Sequence, residues 1–128
     1  MTKLGENYVD VTRVLGKYFD GLYDCNIVLL GEVFYPSAQL ATISDGNLTT
    51  IDMPTWLALV EKRESSAARR EVRLDNILSI EFGSENTAVA RVQAAIGPKL
   101  FTDFLSLAKS ADGWRIVSKV YQFEALKA

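Results

Sequence analysis

Tyr18, Asp103, Ser106 and Lys119 are the side chains of this chain whose types and positions could support acid–base or ligand-binding chemistry. Three of them fall in one stretch, FTDFLSLAKSADGWRIVSKVYQF (101–123), among apolar residues that otherwise read as core. Histidine is absent from all 128 residues. That absence excludes Ser–His and Cys–His nucleophilic catalysis, His-ligated zinc and His-ligated haem, and leaves carboxylates, tyrosine, lysine and serine as the acids and bases. No glycine-rich phosphate loop, cysteine pair or acidic cluster with metal-ligand spacing occurs, so neither a metal nor a cofactor is expected. Cys25, the single cysteine, cannot close an internal disulfide; with no acid–base partner near it in sequence, it reads as a small apolar residue.

The elements that must position these groups follow from periodicity. Tyr8, Val11, Val14, Leu15, Tyr18 and Leu22 recur every three or four residues between Glu6 and Tyr23, the period of an amphipathic helix. Asn26 can cap a short second helix running through Ile27, Val28, Leu30, Val33 and Phe34, which Pro36 ends. AQLATISDGNLTTID (38–52) has Asp-Gly-Asn between two β-branched runs and predicts a hairpin. Pro54 opens a third helix carrying Trp56, Leu57, Leu59 and Val60. The charge-rich EKRESSAARREVR (61–73) reads as a solvated helix end and loop. Beyond it lie four strand-like runs, VRLDNILSIEF, TAVARVQAAI, LFTDFLSLAK and WRIVSKVYQF, divided by GSEN, GPK and SADG, turn sequences that favour hairpins over crossovers. The expectation is a single α+β domain over 1–128, with three N-terminal helices packed on an antiparallel sheet.

Side chains alternate across a strand, so Phe101, Asp103, Leu105 and Leu107 share one face of the third run, and Leu100, Thr102, Phe104, Ser106 and Ala108 the other. In the fourth run Lys119 shares a face with Val117, Tyr121 and Phe123. Both faces are largely apolar, which predicts a homodimer formed through the sheet. Arg91 shares a face with Val89 and Gln93, and alternation leaves open whether that face is a wet pocket or the outer surface.

Net charge is −2 and the pI about 5.1, without the basic balance that nucleic-acid binding requires. No apolar run approaches the roughly 20 residues of a membrane span, and MTKLGENYVD has no signal-peptide core. No membrane contact and a cytoplasmic location are expected.

With KYFDGLYDCNIVLLGEVFYPSAQL at the front and FTDFLSLAKSADGWRIVSKVYQF at the back, the chain resembles the nuclear-transport-factor-like superfamily, which includes ketosteroid-isomerase-like and SnoaL-like proteins. Within it the chain is most similar to bacterial proteins labelled putative lumazine-binding. The resemblance implies a cone-shaped fold in which a strongly curved antiparallel sheet wraps around helices, leaves a cavity at its wide end, and dimerises through the sheet. Isomerases of the superfamily use a first-helix tyrosine, a first-strand aspartate as base and a late-strand acid. The resemblance places Tyr18 at the tyrosine, Thr42 at the base and Ser106 at the acid, so the base and the acid of that chemistry are missing.

In the same alignment Phe104, Ser106 and Lys119 face the cavity, and Asp103 faces outward to the dimer surface. Lys119, if buried, needs solvent at the cone mouth, a carboxylate or an anionic ligand, because an isolated ammonium in apolar surroundings sheds its proton. The ligand-binding candidates are Tyr18, Phe34, Thr42, Trp56, Phe104, Ser106, Lys119 and Tyr121; Tyr18 and Lys119 are the catalytic candidates. The expected function is binding of a small organic molecule in a largely apolar cavity. The alternatives are a cofactor-independent isomerase, lyase or cyclase acting on a carbonyl compound, and a non-catalytic dimeric scaffold or partner-binding module.

Overall fold

The computed structural model describes residues 2–126. Its elements run α1 (Lys3–Asp24), α2 (Ile27–Val33), β1 (Phe34–Ser44), β2 (Asn47–Asp52), α3 (Met53–Lys62), β3 (Asp75–Ser84), β4 (Thr87–Ile96), β5 (Lys99–Ser110) and β6 (Gly113–Ala125). This is the α+β order that the periodicities predict. Among the described residues no helix is long and apolar enough to cross a membrane.

Local chemistry sets the helix ends. The Thr2 hydroxyl accepts from Gly5 N–H at the start of α1, and Asn26 Oδ1 accepts from Leu29 N–H at the start of α2, each satisfying a backbone donor that the first turn leaves open. Between them Cys25 adopts the left-handed conformation at φ 50°, an unusual place for a residue with a Cβ. The sharp corner brings α2 onto α1 at Gly21, where a Cβ would stand 2.7 Å from Leu30 Cδ2. Only glycine permits that approach.

The six strands form one sheet in the order β2-β1-β6-β5-β4-β3. Here the structure corrects the fully antiparallel expectation: β1 runs parallel to β6, with Leu40 beside Lys119, and the other four pairings are antiparallel. Turn chemistry reports the hairpins but carries no information about this long-range pair. Phe34, expected on the second helix, is instead the first residue of β1.

The core lies between the helices and one face of the sheet. Val11, Leu15 and Tyr18 of α1, Leu40 of β1, Ala90 and Val92 of β4, Leu105 of β5 and Ile116 of β6 are all fully buried there. A bulge in β6 decides what else joins them. Leu107 pairs with Ile116, but the next pairing joins Ser106 to Ser118, so Val117 is skipped. The extra residue lets Ile116 and Lys119 face the helices together, which strict alternation forbids.

Candidate functional site

On the inner face of β5 and β6 the register places Asp103 opposite Tyr121 and Leu105 opposite Lys119. Tyr18 reaches this face from α1 and donates its hydroxyl hydrogen to Asp103 Oδ2 at 2.6 Å, with both residues fully buried. Lys119 Nζ lies 3.8 Å from the same oxygen, close enough for charge attraction but too far for a good hydrogen bond. Three rings surround the ammonium: Trp56 at 5.0 Å, Tyr121 at 5.1 Å and Tyr18 at 5.3 Å from Nζ to the ring centroid. Each lies within the range where a ring face attracts a cation. Asp103 Oδ1, by contrast, is buried and has no hydrogen-bond partner among the described residues.

Burial is the leading cause of every perturbed pKa at this centre. It lifts the Tyr18 phenol well above its ordinary value, and the neighbouring Asp103 charge and hydrogen bond act the same way, so Tyr18 stays protonated as a donor at neutral pH. It lowers the Lys119 ammonium; Asp103 opposes that shift and the Arg63 charge adds to it. Tyr121 is raised by burial, against the pull of Arg63. The centre therefore couples a fixed proton donor, a carboxylate with one free oxygen and an amine that gives up its proton more readily than an ordinary lysine.

A cavity of about 220 Å³ opens against this centre. Trp56, Phe101, Tyr121 and Phe123 provide aromatic wall, and Asp103, Lys119 and Arg63 provide the charged groups. A flat apolar wall with a few converging polar groups is the usual make-up of a small-molecule site.

Of the eight sequence candidates, Trp56, Lys119 and Tyr121 line this cavity. Tyr18 stands behind them, and Phe34 packs between Tyr18 and Trp56 at centroid distances of 5.8 and 5.3 Å. Phe34 supports the wall from the core. The Thr42 hydroxyl donates to the Tyr121 carbonyl at 2.6 Å and accepts from Gln122 Nε2 at 3.1 Å, so it ties β1 to β6.

Phe104 and Ser106 fall on the opposite face from the one expected. Asp103 points inward, and alternation then turns Phe104, which is 51% exposed, and Ser106 away from the cavity. Asp103 is accordingly in the interior and not on the outer face where it was expected, and the acid beside Tyr18 is Asp103, three residues before the position that the resemblance assigns. Exposed Arg91 pairs with Phe104 and so belongs to the outer face. Sequence reasoning also passed over Arg63, placed in a solvated charge run, and the aromatic pair Phe101–Phe123, whose shared face with Asp103 and Lys119 was visible in the alternation.

Solved structures of the same fold surround this chain. An NTF2-like protein of unknown function from Silicibacter pomeroyi superposes with a TM-score of 0.85 at 22% identity, over 97% of this chain and 100% of that one. Another from Shewanella baltica gives 0.84 at 24% identity, over 97% and 98%. A ketosteroid isomerase-like protein from Erwinia carotovora atroseptica gives 0.69 at 11% identity, over 91% and 95%. At these identities the likeness is one of fold: the chain has the NTF2-like architecture. Its sequence goes further, because residues 6–122 match the family described as "Putative lumazine-binding", and the chain belongs to that family. No curated protein matches it significantly.

Proposed function

We propose that the protein binds a small, flat organic molecule in the cavity beside Asp103 and Lys119. One observation carries this reading: Asp103 lines the cavity, and its buried Oδ1 has no hydrogen-bond partner among the described residues. A buried acceptor left unmade costs about 1–3 kcal/mol, and a ligand N–H or O–H would supply what the protein does not. Lys119 beside it is a donor for a ligand carbonyl or carboxylate, and the rings of Trp56 and Tyr121 suit a planar body. Lumazine, the compound in the family's description, is such a molecule, a fused two-ring dione with adjacent N–H and C=O groups.

The test is a fluorescence titration with lumazine in a Trp114→Phe background, since Trp114 is bonded to Asn7 and lies outside the cavity wall. Saturable quenching of Trp56 is expected, with roughly tenfold weaker binding in Lys119→Met, the loss of one charge-assisted contact. Absence of quenching at millimolar lumazine, together with no small molecule in the mass spectrum of the denatured protein, would overturn the reading. The Tyr18–Asp103 hydrogen bond favours a second reading, in which Lys119 moves a proton next to a ligand carbonyl; chemical conversion of the bound compound, lost in Tyr18→Phe, would identify an enzyme.

The outer face of the sheet supports the further proposal of a homodimer. Ile43, Phe104 and Val120 are each about half exposed there, in β1, β5 and β6, which are adjacent in the sheet. Light scattering at micromolar concentration should give twice the 14.2 kDa chain mass, and Phe104→Glu should return the monomer. A wild-type monomer would refute the dimer.

A further inference from the structure

The inner cavity has a neighbour on its outer side. A second cavity of about 540 Å³ shares Leu22, Arg63, Ile96 and Phe101 with it. The inner space alone is smaller than the ~300–1,000 Å³ usual for a ligand site, and the outer one falls within that range. A ligand longer than a compact ring system therefore has room to extend past Arg63.

The charges along this path do not cancel. In the inner cavity Lys119 sits against Asp103. The charged side chains of the outer wall are Arg63, Glu64, Arg69, Glu71 and Lys99. Arg69 and Glu71 hold each other through contacts of 3.1 and 3.3 Å, and Glu71 also accepts from Gly97 N–H. Arg63, Lys99 and Glu64 are left. None of the three side chains makes an ion pair among the described residues, which leaves one positive charge in excess. Lys99 lies over the Phe123 ring at 4.4 Å, so its cation already has a partner of sorts, and Arg63 is the cation common to both cavities.

The backbone of Arg63 is fixed, because its N–H donates to Val60 O at the end of α3, while its side chain is exposed. Its charge is felt deep inside, where it contributes to lowering Lys119 and Tyr121.

We propose that Arg63 recognises an anionic substituent on the ligand, a carboxylate or phosphate directed from the inner cavity toward the outer one, so that the protein selects planar molecules bearing a negatively charged arm. The inference rests on the small-molecule reading above and adds to it the charge of the ligand and the residue that senses it. A guanidinium pairs with either group in a bidentate fork, which gives direction as well as charge.

Naphthalene-2-carboxylate and naphthalene-2-carboxamide share one planar body and differ in charge and in the amide N–H, a difference common to wild type and Arg63→Gln that cancels when the two proteins are compared. Calorimetric titration of the whole protein should show the carboxylate bound roughly fivefold more tightly, the scale of one solvent-accessible ion pair. The preference should shrink as salt is raised to about 0.5 M. In Arg63→Gln, checked for an unaltered melting temperature, the carboxylate-to-amide ratio should fall to about one. The amide bound as tightly as the carboxylate by the wild type, or the preference surviving in Arg63→Gln, overturns the assignment while leaving a small-molecule site. Binding of neither probe nor lumazine overturns the small-molecule reading itself.

Discussion

Asp103→Asn is expected to lower the unfolding free energy by about 3 kcal/mol at pH 7, a fall of roughly 10 °C in Tm for a domain of this size. Asparagine keeps the shape of the side chain, and its carbonyl oxygen can still accept from Tyr18, so the substitution removes the charge and puts an amide NH2 in place of the unpaired Oδ1. Lys119 then stands 93% buried by side-chain area with no opposite charge beside it. The three surrounding rings return about 0.5–2 kcal/mol each for a cation, which offsets part of the several kcal/mol that desolvating an ammonium costs. Adding Lys119→Met should restore most of the loss, because an apolar side chain suits that aromatic box and a buried ion pair can be exchanged for packing at small net cost. Urea unfolding of the two single variants and the double variant closes a thermodynamic cycle. Strict additivity of the two changes, or an Asp103→Asn midpoint equal to that of the wild type, would show that the pair is not coupled.

Stability should rise with pH on the approach to the ordinary lysine value near 10.4 from below, and Lys119→Met should remove that rise. Burial lowers the pKa of Lys119 in the folded protein, while the unfolded chain keeps the ordinary value near 10.4. Between the two values the unfolded state binds more protons than the folded state, so raising the pH favours folding, by at most about 1.4 kcal/mol per pH unit for one group. Below the folded value both states are protonated and the cost of charging the buried amine is fully present. Tyr18 and Tyr121 act with the opposite sign, since their folded pKa values are raised, but that loss begins only above about 10. Cys25 is also raised and contributes in both proteins, so the difference between wild type and Lys119→Met isolates the lysine. Parallel stability curves for the two proteins across this window would remove Lys119 as the source of the slope.

The two results test one arrangement. An acceptor without a partner among the described residues, an amine with a lowered pKa and a hydroxyl committed to the same carboxylate are each costly in a small domain, and Asp103 and Lys119 both line a cavity. Binding a ligand there would recover part of that cost, and it would raise the melting temperature with the logarithm of ligand concentration over Kd once the site is saturated.

The sequence by itself determined the order of the elements and the partition of β5 into two faces. The three-and-four spacing from Tyr8 to Leu22, the capping Asn26, Pro54 and the glycine-bearing turns before β4, β5 and β6 are local signals, because helix period, capping and turn geometry act over a few residues. Alternation also placed Asp103 and Ser106 on opposite faces of one strand. Which face was inner could not be read, since Phe101, Leu105 and Leu107 on one side and Leu100, Phe104 and Ala108 on the other are equally apolar. Burial rules alone send an aspartate outward unless it has partners. Those partners, Tyr18 and Lys119, are 85 and 16 residues away along the chain. Tertiary structure decided the matter through two features that no local pattern encodes, the parallel docking of β1 on β6 and the bulge at Val117 that turns Lys119 inward beside Ile116. Once the sheet closes on α1, the carboxylate has a hydroxyl and an ammonium within reach, and its desolvation can be offset only there.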